Sequence, residues 1–313
     1  MPLTGIPARS TLIVIAGPTA VGKTAAAIAI AQRFGGEIVS AASRQIYRGM
    51  DIGTAKPTPE ERAAAPHHLL DTRDPDEDFS LADYAAAARA TIAAIQARGR
   101  VPILAGGTPL YVNAIVEGWR IPQVPPDPAL RAALEAQAAR DGLAPLETRL
   151  AAVDPLAAAR AAGNLRRVVR ALEVYELTGI PMSTLEGKEP PDYPILRTQL
   201  GLARPILHAR ADARVDRMLA AGLVAEVRAL LDQGYDPALP ALSGIGYAEI
   251  VAHLRGDIDL PGAAAQIRVN THRYIRHQET WLRRWRDAIR FDVGTEGWLA
   301  TLRERVGTFL AVA

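Results

Sequence analysis

The sequence contains no cysteine, which excludes disulfide bonds and metal sites built on thiolates. It also lacks any apolar run of about 20 residues, the length that a membrane-spanning helix requires. Residues 1–18 do not combine the basic start, apolar segment and cleavage site of a signal peptide. We therefore expect a cytoplasmic protein without a membrane partner.

Lysine is scarce as well, since only three of the 36 basic residues are lysines and the other 33 are arginines. The 34 acidic residues almost balance them, which gives a formal net charge of +2 and conceals an uneven distribution along the chain. Two of the three lysines, Lys23 and Lys56, lie in the segments that carry the most specific motifs.

A phosphate-binding pattern lies near the start of the chain, in TLIVIAGPTAVGKTAAAIAIAQRF. Residues 17–24 fit G-x-x-x-x-G-K-[ST], with a short apolar strand before them and a helix-prone segment after them. This order is the context of a P-loop, in which backbone N–H groups and a helix N-terminus hold phosphate. We predict that Lys23 adds a positive charge and that Thr24 holds Mg²⁺. Both flanks disfavour the alternative, a chance glycine turn.

The strands that we predict after this motif do not end in acids. ATPase motors and most kinases need a carboxylate near the metal or the nucleophile. The strand at 37–41 runs into Ala41 and Ala42, and the strand at 101–105 runs into Gly106, Gly107 and Thr108. An ATP-hydrolysing motor is therefore disfavoured. A reaction with diphosphate as the leaving group fits better, because the loop would then stabilise the departing charge.

Strand and helix signals alternate over the first part of the chain. We predict strands at 12–16, 37–41 and 101–105, and helices at 24–34, 81–98 and 109–117. A proline-rich segment at 120–128 precedes an alanine-rich helical block, and a second one at 186–194 follows it. A strand at 198–203, helices at 207–233 and 261–286 and an edge strand at 288–293 follow. His67 and His68 have no other evident ligands, and we interpret them as loop structure.

This pattern predicts an α/β fold with a doubly wound parallel sheet, of the P-loop NTPase-like type, interrupted by a helical insertion domain. The predicted domains are a first part of the core at 1–118, the insertion at 119–195 and a second part of the core at 196–313.

Arginines recur at helical spacing in three places. Arg210 and Arg214 share a helix face, either as a clamp for a diphosphate or as a solvated basic face. A second group faces either solvent or RNA and comprises Arg166, Arg167 and Arg170. A third forms a stripe suited to a nucleic acid backbone or to plain solvent exposure, and comprises Arg268, His272, Arg276, Arg283 and Arg286. An aromatic stripe on the same helix is predicted to be core and comprises Tyr274, Trp281 and Trp285.

Eight segments, in order, make the chain resemble the bacterial tRNA dimethylallyltransferases of the tRNA isopentenyltransferase family. They are GPTAVGKT, IYRGMDIGTAKP, HHLLD, LAGGTPLY, RRVVRALEVYELTG, RADARVDRMLAAGLVAEV, GIGY and RHQETWLRRW, and the resemblance spans about residues 12–286. It implies transfer of a dimethylallyl group from dimethylallyl diphosphate to N6 of the adenosine 3′-adjacent to the anticodon, with Mg²⁺ as cofactor. It also implies that a monomer grips the anticodon stem-loop with its insertion and basic helices.

The resemblance implies site residues by matching motif. Diphosphate or nucleotide binding falls on Gly17, Pro18, Thr19, Ala20, Val21, Gly22, Lys23 and Thr24, with Thr24 also on the metal. Catalytic roles fall on Thr24, Arg210, Arg214 and the position of Ala42. Contacts with tRNA fall on Ala42, Ser43, Arg44, Gln45, Thr108, Arg131, Arg166, Arg167, Val168, Val169, Arg170, Ser243, Gly244, Ile245, Gly246, Tyr247, Ala248, Arg276 and Arg283.

Ala42 departs from the family pattern. The family has an aspartate at this position, which is thought to accept the proton of the attacking amine. An alanine can neither accept that proton nor hydrogen-bond N6, so the resemblance implies an impaired enzyme. Two alternatives remain: a non-catalytic tRNA-binding protein that keeps the fold, and a small-molecule P-loop kinase, which the missing acids disfavour.

Overall fold

The computed structural model describes residues 10–313. The first nine residues open the first predicted domain and belong to the segment without signal-peptide features, and they lie outside the described part. Within it the strands are β1 (Leu12–Ala16), β2 (Gly36–Ala41), β3 (His67–His68), β4 (Val101–Gly106), β5 (Trp119–Arg120), β6 (Gly187–Lys188), β7 (Ile195–Gly201) and β8 (Ile289–Asp292).

The helices of the described residues alternate with these strands and extend beyond them. They are α1 (Lys23–Phe34), α2 (Pro59–Ala64), α3 (Leu81–Ala97), α4 (Pro109–Val116), α5 (Pro128–Asp141), α6 (Ala144–Val153), α7 (Pro155–Ala161), α8 (Leu165–Thr178), α9 (Met182–Leu185), α10 (Arg204–Ala220), α11 (Leu223–Asp232), α12 (Tyr247–Leu254), α13 (Leu260–Leu282) and α14 (Trp298–Val312). Within residues 10–313 no helix is both long and apolar enough to cross a membrane.

The chain forms two compact units. The first comprises the chain up to Val116 together with Asp192–Ala313, and the second is Glu117–Pro191. The first unit holds a six-stranded sheet in the order β3-β2-β4-β1-β7-β8, with every neighbouring pair parallel. The predicted α/β fold with a parallel sheet is therefore confirmed.

The centre of this sheet is apolar because both of its faces are covered. The five residues of β1 are LIVIA, and all of them are buried, as expected for a strand inside a parallel sheet. One face of α1 packs into the same core through Ala27 and Ile30. The helix α14, which sequence analysis did not predict, adds Leu302 and Val306 to this core.

Four predicted elements differ from the structure. The helix predicted over 261–286 ends at Leu282, and residues 283–286 form a turn before β8. The strand predicted to begin at 198 begins at Ile195, because the residues from there on pair with β1. The helix predicted over 207–233 is two helices, since Gly222 between them takes a left-handed φ of 100°. His67 and His68 are not loop: they form the edge strand β3, which pairs with β2.

The second unit is a helical unit with its own core, as the alanine-rich block predicts. Leu134 of α5, Leu146 and Leu150 of α6, and Val168 and Leu172 of α8 meet in that core. The two-residue strands β5 and β6 pair antiparallel in the same unit.

A buried carboxylate ties the helices of this second unit together. Glu173 on α8 is fully buried, and it accepts hydrogen bonds from Arg131 at 2.8 and 2.9 Å, from Arg170 at 2.5 Å and from the backbone N–H of Asp127 at 2.7 Å. Burial alone would raise the pKa of Glu173, but the hydrogen bonds from Arg131 and Arg170 hold it below its ordinary value.

We expect Glu173→Ala to destabilise the second unit by about 3 kcal/mol, near the lower end for breaking a buried ion pair, because both arginines reach solvent. Since the pKa of Glu173 is lower in the folded chain than in the unfolded one, the contribution is complete at neutral pH and is lost as the pH falls below about 4. Urea unfolding at pH 7 and at acidic pH measures both effects. Glu135→Ala, at an exposed position of α5, is the control and should change little. Equal losses for the two variants would contradict the expectation.

Candidate functional site

The loop between β1 and α1 is shaped to hold an anion. Ala20 and Gly22 both take left-handed backbone conformations, with φ of 63° and 101°. Gly22 caps α1 without any side-chain hydrogen bond, so the N–H groups of the first helical turn point into the loop. Such a concave run of backbone N–H groups at a helix N-terminus favours phosphate oxygens.

Lys23 lies at this loop, and the charge of its amine depends on pH near neutrality. Its Nζ donates a hydrogen bond to the carbonyl of Pro18 at 2.7 Å. Burial, together with the positive charge of Arg214, lowers the pKa of Lys23 to about 7. In the absence of an anion the lysine is therefore only partly charged at neutral pH.

Of the two arginines predicted to form a clamp, the structure brings one to the loop. Arg214 on α10 lies 3.4 Å from the hydroxyl of Thr19, and burial followed by the charge of Arg217 lowers its pKa. Arg210 is exposed one turn earlier on α10. Arg217, one turn later, is exposed as well, and its charge acts on Arg214; the spacing of Arg210 and Arg214 did not suggest this second neighbour.

The turn at residues 42–45 follows β2 and is held from β4. The carbonyl of Ala41 accepts from the N–H of Thr108 at 3.1 Å, and the N–H of Ser43 donates to Oγ1 of Thr108 at 3.0 Å. Ala42 is half-buried in this turn, and Gln45 closes it by donating its N–H to the carbonyl of Ala42 at 3.2 Å. Thr108 was predicted to contact tRNA, and the structure shows that it also holds the turn in place.

Two side chains of the turn are engaged within the protein. Gln45 donates its amide to the carbonyls of Thr54 at 3.2 Å and Ala55 at 2.9 Å. Arg44 donates to the carbonyl of Pro240 and, at 3.2 Å, to the hydroxyl of Ser243. The turn is therefore joined to Pro240 and Ser243, and Ser243, like the turn itself, was predicted to contact tRNA.

Gln278 on α13 is a polar residue that the sequence did not predict to be part of the site. It is 2% exposed; its Oε1 accepts from the N–H of Thr19 at 2.9 Å, and its Nε2 donates to the carbonyl of Gly107 at 2.6 Å. The available signal was a polar residue inside the buried stripe of α13, between Ile275 and Leu282.

The donor set fits Mg²⁺ only together with a bound diphosphate. Thr24 offers one hydroxyl in the first turn of α1, and β2 and β4 run into Ala42 and Gly107 without a carboxylate. Mg²⁺ commonly keeps several waters and binds through substrate phosphates besides few protein ligands. Thr24 with diphosphate oxygens and water would satisfy that preference.

Five residues predicted to contact tRNA are buried. Two of them are the glycines Gly244 and Gly246, and the other three carry side chains. Val168 and Val169 are 0% and 2% exposed in the core of the second unit, and Tyr247 is 1% exposed in a core of the first. Their side chains pack inside the protein because they occupy the apolar faces of α8 and α12, so the structure contradicts direct side-chain contacts. The neighbouring Arg166 and Arg167 are exposed.

The basic stripe of α13 divides into two parts. Arg268 pairs with Asp216, and the ring of His272 contacts Asp212 at 2.8 Å, both acids being on α10. The remaining basic positions are exposed, namely Arg276, Arg283 and Arg286. In the aromatic stripe, Trp285 is buried, as predicted for a core residue. Tyr274 and Trp281 are only half-buried.

The comparisons with known proteins match this sequence to one family. The family model IPP transferase matches residues 45–285. A tRNA dimethylallyltransferase of Thermomicrobium roseum is 53% identical over 299 residues, which cover 95% of this chain and 91% of that relative. The chain therefore belongs to the IPP transferase family.

Solved structures agree with this assignment. The crystal structure of a tRNA isopentenylpyrophosphate transferase from Bacillus halodurans has a TM-score of 0.71 and 38% identity, and covers 96% of this chain and 97% of that one. A eukaryotic dimethylallyltransferase acting on tRNA has a TM-score of 0.82 and 26% identity, and covers 96% of this chain and 80% of that one.

We expect the affinity of the loop for inorganic diphosphate to fall as the pH rises above about 7, by at most about tenfold per pH unit, because Lys23 must be protonated to attract the anion. In Lys23→Arg the side chain stays charged, so this component should vanish. Isothermal titration of both chains between pH 6 and 9 tests this. The ratio of the two affinities cancels the titration of diphosphate itself, and a ratio that is constant with pH would contradict the lowered pKa.

Proposed function

We propose that this chain transfers a dimethylallyl group from dimethylallyl diphosphate to N6 of the adenosine 3′-adjacent to the anticodon in tRNA, releasing diphosphate. One observation carries the proposal: the anion-binding loop and the turn at 42–45 lie at the same edge of the sheet, linked through Gly107 and Thr108. A relative that is 53% identical bears the name tRNA dimethylallyltransferase, which supports the same reaction.

In this proposal the loop at residues 17–24 acts as a P-loop for the diphosphate of the prenyl donor, and not for the γ-phosphate of ATP. The missing carboxylates at the ends of β2 and β4 support that choice, because no group there would activate a water for hydrolysis. Lys23 and Arg214 would stabilise the negative charge that grows on the departing diphosphate. Mg²⁺, held by Thr24 and the diphosphate oxygens, would neutralise part of the same charge.

The acceptor base would meet the turn at residues 42–45. An adenosine of a single-stranded anticodon loop leaves its stack at a lower cost than a paired base. The exposed arginines are candidates for the phosphates of the RNA, namely Arg166, Arg167, Arg276 and Arg283. We also propose that the chain acts as a monomer in the cytoplasm, where its tRNA substrate would be found.

The chemical step forms a bond between N6 of adenosine and C1 of the dimethylallyl group. The bond between C1 and the diphosphate oxygen breaks, and its electron pair leaves with the diphosphate. N6 must also lose a proton. Ala42 has a methyl group where the family's aspartate would accept that proton, so water or buffer takes it and the reaction is slow.

Mass spectrometry of tRNA incubated with the chain, Mg²⁺ and dimethylallyl diphosphate tests the proposal. Prenyladenosine beside the anticodon would support it. Binding of tRNA without product over long incubation would favour the alternative of a non-catalytic tRNA-binding protein. Omission of the prenyl donor is the control.

We expect Ala42→Asp to raise the single-turnover rate by about 10²–10⁴-fold, the usual contribution of a general base, or about 3–5.5 kcal/mol of activation free energy. The affinity for diphosphate should change much less, because the loop at 17–24 is intact. Formate should accelerate the present chain by supplying a small carboxylate, and it should not accelerate Ala42→Asp. The control is Ala133→Asp at an exposed position of α5. An unchanged rate in Ala42→Asp, with brisk turnover of the present chain, would show that the base lies elsewhere.

We expect Arg276→Ala and Arg283→Ala each to lower the slope of log K for tRNA against log salt by up to about one, if each arginine neutralises one phosphate. Filter binding of an anticodon stem-loop at several salt concentrations measures the slope. Arg303→Ala on α14 removes the same charge from another exposed position and is the control. Slopes that match the control would mean that these two arginines face only solvent.

A further inference from the structure

One buried side chain touches both halves of the site. Gln278 accepts the N–H of Thr19, which belongs to the loop at 17–24, and donates to the carbonyl of Gly107. Gly107 precedes Thr108, whose backbone and hydroxyl hold Ala41 and Ser43. We propose that Gln278 is a positioning residue that fixes the separation between the diphosphate loop and the acceptor turn; this inference rests on the proposed function.

The surroundings of Gln278 favour this role over simple packing. Its neighbours on the buried face of α13 are Ile275 and Leu282, so an apolar side chain would fill the position without the cost of burying an amide. The amide instead satisfies one backbone donor and one backbone acceptor that lie 259 and 171 residues away in the chain. Only a side chain with both an acceptor and a donor can join these two groups.

Glycine at position 107 allows this contact. A Cβ at residue 107 would lie 2.5 Å from Nε2 of Gln278 and 3.3 Å from Nζ of Lys23. The hydroxyl of Tyr274, one helical turn before Gln278, donates to the same carbonyl of Gly107 at 3.4 Å. Two side chains of α13 therefore hold the β4–α4 loop, and one of them, Gln278, also holds the loop at 17–24.

The consequence for catalysis is geometric. The reacting N6 and C1 atoms must approach within about 3–3.5 Å, and a misplacement of about 1 Å can cost about a hundredfold in rate. Gln278 touches neither reacting group, so its loss should act on the chemical step through the relative position of two loops, each of which keeps its own ligand.

The test replaces Gln278 by Met, an unbranched side chain of similar size that makes neither hydrogen bond. We expect the single-turnover rate of prenyladenosine formation to fall by about tenfold to a hundredfold at saturating substrates. The dissociation constants for inorganic diphosphate with Mg²⁺ and for an anticodon stem-loop, measured separately, should change by less than about threefold, since each loop keeps its own binding groups. The matched control is Gln266→Met, at an exposed position of the same helix.

A second variant, Tyr274→Phe, keeps the aromatic ring and removes the hydroxyl, which donates weakly to Gly107 and also interacts with the side chains of Thr108 and Gln278. This variant should slow the chemical step by a smaller factor than Gln278→Met, and the affinities for diphosphate and for the stem-loop should be retained. It provides the test if Gln278→Met does not fold. Thermal unfolding of every variant identifies loss of structure.

Three results would overturn the inference. The first is an unchanged rate in both variants while the unsubstituted chain forms product. The second is a parallel loss of rate, of both affinities and of melting temperature, which would make Gln278 a packing residue only. The third is the absence of product from the unsubstituted chain and from Ala42→Asp, which would remove the proposed function itself and the inference with it.

Discussion

The close approach of β2 and β4 at their carboxyl ends determines where the rest of the site can lie. A Cβ at Gly106 would lie 2.2 Å from the carbonyl oxygen of Ala41, so only glycine permits this register at the end of β4. Because the strands are parallel, the loops that follow β1, β2 and β4 emerge at the same edge of the sheet. The anion-binding loop, the turn at 42–45 and the Gly107–Thr108 segment meet there as a consequence of sheet topology.

The strand ends do not by themselves determine the conformation of the loops that follow them. Hydrogen bonds with polar side chains hold those loops in place. The segment after the turn is held by Glu226, whose carboxylate accepts the N–H groups of Asp51, Ile52 and Gly53 and the hydroxyl of Tyr247. Burial, and then the charge of Glu226, raises the pKa of Tyr247. This hydroxyl therefore stays protonated and continues to donate to Glu226.

The fold was predictable from sequence where an apolar strand adjoined a specific motif, whereas α14 was missed although its Leu302 and Val306 are buried. The apolar run of β1 and the glycine motif after it indicated strand, loop and helix at the observed residues. The start of β7 was misplaced by three residues, and the strand includes Arg197, whose guanidinium pairs with Asp287 at 2.8 Å. Gln278 could not be assigned from sequence, since its partners are brought to it only by the folded sheet.

The positive charges around the loop at 17–24 determine how a carboxylate or an alanine at position 42 would affect the binding of an anion. Lys23, Arg214 and Arg217 are all basic, and β2 and β4 run into residues without a carboxylate. An aspartate at position 42 would lower the positive potential at this edge, which would favour the charged form of Lys23 but weaken the attraction for diphosphate. In the proposed reaction, alanine at position 42 would therefore remove a proton acceptor and leave the positive charge that attracts the diphosphate undiminished.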